Sequence, residues 1–172
     1  MIADLELGPE SVVMLMASAP EHALDLVGGL DVTRLVYRHG PAFPSIRELV
    51  GHLATAGCGT DALVHRIYLE GLSEVPARAF DPAPAAGPDP EEPTPPADEQ
   101  LQDCARSRRR TVDLLRGMRP GDWQRPVVDP ELGEMTLLDL CRLIVAHEMS
   151  HLSQLRNLHS LLPEPQDVGP AT

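Results

Sequence analysis

Two four-residue strings set most of what this chain can fold into: SIRE at positions 45–48 and TLLD at 136–139. Each is a capping box, in which a Ser or Thr hydroxyl takes an early helical N–H and an acid three residues on reaches back to the cap. After SIRE, Ile46, Leu49, Leu53, Leu63 and Ile67 recur at helical spacing to about Glu70. After TLLD a second periodic run extends to about Leu162, where Pro163 stops it. Both runs are long amphipathic helices.

Two further helices complete the set. Glu99 to Met118 carries Leu101, Val112, Leu114 and Leu115 on one side. Glu10 to Val27 is also periodic; Pro20 inside it predicts a kink or a fresh start just before it, and Gly28-Gly29 ends it. Four helices of this length predict an all-α, four-helix bundle. Aromatic residues are only 3% of the chain, so the core is aliphatic and the sequence shows no convincing strand. A chain of 172 residues is one domain. We place the bundle at 1–162 and a flexible tail at 163–172.

Residues 71–98 break the helical pattern. Proline and acidic residues dominate them, which predicts a solvated connection, with a lid over a site as the alternative. Such a connection reaches about 90 Å when extended, whereas a 22-residue helix is about 33 Å long. A crossover of this length lets helices two and three lie parallel. The loop before the last helix holds the single tryptophan, Trp123, predicted to plug one end of the core.

The net charge is −12, and every one of the 14 basic residues is arginine. That balance opposes nucleic-acid and anionic-membrane binding. The one basic run, Arg106 to Arg110, reads as a solvated helix face, with a phosphate patch as the rival. Cys58, Cys104 and Cys141 form no CxxC pair and are odd in number, which suits a reducing compartment and small buried side chains. With no leader-like N-terminus and no apolar stretch of membrane-spanning length, the expectation is a cytoplasmic protein without a membrane partner.

The chemistry lies in the histidines. Taken in steps of three and four, the last helix reads Leu137, Leu140, Ile144, His147, His151, Gln154, Leu158, Leu161. Two imidazoles four apart are one turn apart on one face and can converge on a single ion. His52 falls on the inward seam of the second helix, beside the small Ala56 and Gly57. An apolar bundle tolerates three inward imidazoles only if something satisfies them, a metal ion or a hydrogen-bonded polar layer. The spacing therefore marks His52, His147 and His151 as candidate ligands. His22, His39, His65 and His159 lack such partners, and Cys58 and Cys141 lie on the wrong face.

HEMSH also matches the HExxH of zinc proteases. Those enzymes draw a third ligand from downstream, and here Gln154 and Asn157 occupy the positions where their Gly and His would fall. The third ligand comes from upstream instead.

At this point the residues match a known family. PSIRELVGHLATA, then DW, GEMTLLDL and AHEMSHLSQL resemble the DinB-like (DinB/YfiT) four-helix-bundle metalloproteins, in order from about Pro9 to Leu162. The resemblance implies an up-down-down-up bundle, a metal triad at His52, His147 and His151, a divalent ion such as zinc or nickel, and a homodimer. Glu148 takes the acidic position between the histidines, either orienting a ligand imidazole or moving protons, and Gln154 would line the cavity. Two departures stand out: AFP replaces a tryptophan before the helix-two cap, and the connection is unusually rich in proline.

Family likeness further implies a metal-dependent S-transferase of a low-molecular-weight thiol, bacillithiol or mycothiol, acting on a small-molecule electrophile. Two rivals stay open. One is a small hydrolase activating water, for which Glu148 is the evident general base. The other is a metal-binding dimer, associated with stress, that catalyses nothing.

Overall fold

The structure is a computed structural model and describes residues 7–80 and 96–163. Four long helices form the bundle: α1 Pro9–Val27, α3 Ile46–His65, α4 Ala97–Arg116 and α5 Leu137–Ser160. A single-turn helix, α2 Val32–Leu35, lies between the first two. Helices α1 and α3 each pack on both α4 and α5, so α1 faces α3 across one diagonal and α4 faces α5 across the other.

Both capping boxes form. Ser45 Oγ accepts from the Glu48 N–H and the Glu48 carboxylate accepts from the Ser45 N–H at 2.8 Å. Thr136 and Asp139 repeat the arrangement at the start of α5. In α1 the helix continues through Pro20 without the fresh start expected there, ending at Gly28 and the left-handed Gly29 (φ 77°). A proline costs a helix one backbone hydrogen bond, and burial of Val12, Met16, Ala19 and Ala23 around it offsets that loss.

Helix α3 widens into a π-turn over Arg66–Glu70 and stops at Gly71, φ 75°. The carbonyls of Ile67 and Tyr68 in that turn accept from Arg125 Nη1 at 2.7 and 2.8 Å, and the guanidinium lies over the Tyr68 ring. The end of α3 is thus tied to the loop that precedes α5.

That loop corrects one expectation, because it contains strands. Strands β1 Pro126–Asp129 and β2 Gly133–Thr136 pair antiparallel, with Asp129 opposite Gly133. The turn is built by Asp129 Oδ1, which accepts from the N–H groups of Glu131 and Leu132, and by Gly133 at φ 81°. At four residues each, the strands are too short to show alternation in sequence; turn chemistry and Val127, fully buried, hold them.

The connection is corrected in part as well. Its first residues are packed: the Val75 N–H donates to Val128 O and the Val128 N–H to Ser73 O, both at 2.8 Å, and Val75 is buried. Most of the rest, and nearly all of the predicted tail, lie outside the described residues.

The core has two parts. One draws on the N-terminal half of α1, the C-terminal halves of α3 and α4, the start of α5, Val127 and the buried Trp123. The other draws on the opposite halves of the same four helices. Helices α3 and α4 therefore run in the same direction, opposite to α1 and α5. Polar side chains occupy the level between the two parts, and that level carries the site.

Candidate metal centre

His52 reaches inward from the first half of α3, and His147 and His151 from the middle of α5, against which α3 packs. Their ring nitrogens lie close together. His52 Nε2 and His147 Nε2 are 3.2 Å apart. Two imidazole nitrogens bound at about 2.0–2.1 Å to one divalent ion sit about 2.9–3.4 Å from each other. One ligand atom from each of the three residues falls within a mutual 4.8 Å, and all three rings are half-buried. The ring centroids of His151 lie 4.5 Å from those of His52 and 4.4 Å from those of His147. This donor set fits a divalent transition-metal cation.

Gln154 is exposed and bonds to one of the three imidazoles. His151 Nδ1–H donates to Gln154 Oε1 at 2.9 Å, which fixes the tautomer and leaves the Nε2 lone pair available to an ion. Phe80, from the packed start of the connection, stands against His147 with ring centroids 6.2 Å apart. It covers one side of the site.

Glu148 departs from both roles expected of it. Its carboxylate is buried and both oxygens are taken up by Arg108 of α4: Nη1 donates to Oε2 at 3.1 Å and Nη2 to Oε1. Arg108 is itself only 1% exposed, and its Nε lies 2.8 Å from Asp61 Oδ1 on α3, a charge contact poorly aligned as a hydrogen bond. One guanidinium thus joins α3, α4 and α5 through two carboxylates. Burial pushes the Asp61 and Glu148 carboxyls up, against the pull of Arg108, and neighbouring carboxylate charge holds the guanidinium protonated despite its own burial.

Arg108 is also the correction to the basic run. Arg106, Arg109 and Arg110 are exposed as expected, but Arg108 points inward. The signal was present in the helical phase: Leu101, Cys104, Arg108, Thr111 and Leu115 form one seam. Gly57, expected to leave room for His52, instead leaves room for this group; a Cβ there would lie 2.8 Å from Cys104 Sγ and 3.7 Å from Arg108 Nη2.

No other His, Cys, Asp or Glu joins the cluster among the described residues. His22, His39 and His159 are exposed and His65 half-buried. Cys104 and Cys141 are buried and Cys58 half-buried.

A family model for the DinB superfamily matches residues 16–155, which takes in all three histidines, Arg108 and most of the chain. This chain belongs to the DinB superfamily. Among solved structures, the DinB-superfamily chain is similar to YfiT from Bacillus subtilis, described as "a probable metal-dependent hydrolase with an unusual four-helix bundle topology". The two share a TM-score of 0.70 at 15% identity, over 88% of this chain and 86% of that one. That likeness establishes the bundle fold. No curated protein matches this DinB-superfamily sequence.

Proposed function

We propose that His52, His147 and His151 hold a divalent metal, zinc or nickel, and that the protein transfers a low-molecular-weight thiol, bacillithiol or mycothiol, to a small electrophile. The observation that carries this reading is the make-up of the site: three converging imidazoles, with the adjacent carboxylate of Glu148 withdrawn onto Arg108. A cation alone can bring bound water to a pKa of about 7, but proton transfer to the leaving group in hydrolysis draws on a positioned acid or base. A thiol, with an ordinary pKa of about 8.5, starts far closer to neutrality and transfers to an electrophile without that second group.

A bound divalent ion supplies the positive charge that lowers a thiol's pKa into the neutral range. The chain's own residues do the rest. Neutral imidazoles direct lone pairs to a common point, Gln154 keeps His151 in the required tautomer, and Phe80 shields the His147 side from water. Among the described residues no helix is long and apolar enough to cross a membrane. Three free cysteines fit a reducing, cytoplasmic setting, and a homodimer is part of the same proposal.

The test is direct. Cobalt- or nickel-loaded protein is titrated with bacillithiol and with mycothiol, and a thiolate-to-metal charge-transfer band is expected with one of them and absent in His52→Ala and His147→Ala. The description of YfiT favours hydrolysis as the second reading. Ester or amide cleavage that proceeds with no thiol present would establish it and sink the transferase. Stoichiometric metal with neither activity leaves a binding dimer.

A further inference from the structure

Cys58 and Cys104 lie at the contact between α3 and α4, where a Cβ on Gly57 would come within 2.8 Å of Cys104 Sγ. Cys104 is the neighbour with the largest effect on the Cys58 thiol, and neither cysteine is in a disulfide. Gly57, next to Cys58 in sequence, has no side chain to hold the helices apart, and the Cys104 sulfur fills the space its Cβ would take. Arg108 stands one turn beyond Cys104. The two sulfurs differ in access: Cys58 is half-buried and Cys104 buried, while Cys141 is fully buried elsewhere.

We propose that Cys58 and Cys104 are a reactive dithiol, a modification site separate from the histidine cluster, with Cys58 the attacking thiol, Cys104 the resolving thiol and a low-molecular-weight disulfide the oxidant. The Cys58 thiolate attacks one sulfur of that disulfide, forming a mixed disulfide and releasing one thiolate. Cys104 then loses its proton to solvent or to that thiolate, attacks Cys58 Sγ and expels the second half of the reagent. Two protein thiols are oxidised to one disulfide, and one external disulfide is reduced to two thiols.

Burial assigns the order. A negative charge belongs on the more exposed sulfur, and the hydrogen bond from Cys104 lowers the Cys58 thiol to about 7, against the effect of its own partial burial. The same hydrogen bond, then desolvation, pushes Cys104 up. Capping Cys58 removes that hydrogen bond, the largest obstacle to ionising Cys104, together with the Cys58 charge. The resulting bridge would join positions 58 and 104, on either side of the long connection.

The full-length protein is treated with hydroxyethyl disulfide and read by intact mass under non-reducing conditions. The expected result is a loss of about 2 Da, as two thiols become one disulfide, with trypsin releasing residues 48–66 linked to residues 79–106 and Cys141 still free. Cys104→Ser should stop at one adduct on Cys58, and Cys58→Ser should not react while folded. A wild-type protein that keeps a lasting adduct on Cys58, or stays unmodified, overturns the proposal, as does a bridge that includes Cys141. If either variant is unfolded by circular dichroism, the pH dependence of Cys58 alkylation in the wild type decides. A midpoint near 7 supports the reactive pair, and an ordinary midpoint near 8.5 refutes it.

Discussion

Glu148 follows His147 directly in the chain, yet its carboxylate lies on Arg108 across the bundle. Helical geometry requires this separation. Adjacent residues are about 100° apart around the axis, so a glutamate beside an inward histidine turns toward the next neighbour, here α4. The HExxH spacing is the same as in a zinc protease, and the glutamate's surroundings give it a different task.

Arg108→Met should therefore cost more stability than Glu148→Gln. Removing the guanidinium strands two buried carboxylates, a loss of about 3–5 kcal/mol by the measure of broken buried pairs. The pH dependence has a definite sign. Asp61 and Glu148 already titrate above their ordinary values of 3.8 and 4.5, and without Arg108 they would titrate higher still. A raised carboxyl binds protons more tightly in the folded state, so the deficit of Arg108→Met should shrink as pH falls from neutrality through the raised values. Urea unfolding at pH 7.5 and 5.5 checks this; an equal deficit at both would show that the carboxylates do not titrate in the fold.

Gln154→Ala should weaken metal binding without abolishing it. Losing the acceptor on His151 Nδ1 frees the tautomer, at a cost of about tenfold in affinity, the lower end for partners of ligand histidines because Gln154 is exposed. His151→Ala should remove stoichiometric binding. Competition against a chromophoric chelator measures both, and an unchanged affinity in Gln154→Ala would show that the hydrogen bond does not steer the ring.

The two capping boxes should shape the acid limb of stability. The Ser45 backbone N–H lowers the Glu48 carboxyl, and the Thr136 hydroxyl, with the backbone N–H, lowers that of Asp139. A lowered carboxyl contributes stability that is complete above its unfolded value and disappears as pH falls through the folded one. Glu48→Gln and Asp139→Asn should flatten the decline below about pH 4.5. Thermal unfolding between pH 5 and 3 is the measurement, and an unaltered slope in both variants counts against the boxes.

Gly57→Ala should destabilise the protein although alanine favours helix. The added methyl meets Cys104 Sγ at 2.8 Å in a buried interface. Overpacking of this kind costs about 1–3 kcal/mol, of which roughly 1 kcal/mol returns through helix propensity. A midpoint in urea at or above that of the wild type would mean that α3 and α4 part freely there.

What could be read from the sequence was whatever a single helix encodes. The caps at Ser45 and Thr136, the inward phase of His52, His147 and His151, and the end of α3 near Glu70 are properties of one segment at a time. What escaped depends on pairs of segments. Arg108 looks like one more charge in a basic run until Asp61 and Glu148 are placed around it. The hairpin at 126–136 takes part of its pairing from residues 73–75, some fifty positions away. Cys58 and Cys104 lie on opposite sides of the connection, and neither position alone announces the other.

Met149, in the middle of HEMSH, packs against both parts of the core and, among the described residues, is the one common to their edges. Elsewhere at that level the bundle is spanned by ionic and imidazole groups. The protein is therefore built like two blocks with a seam between them, and the seam is fastened by Arg108 at one corner and by the histidine cluster at another. Loading the cluster would rivet α3 to α5 at the joint, so the two blocks should melt as one when metal is bound and come apart in sequence when it is stripped.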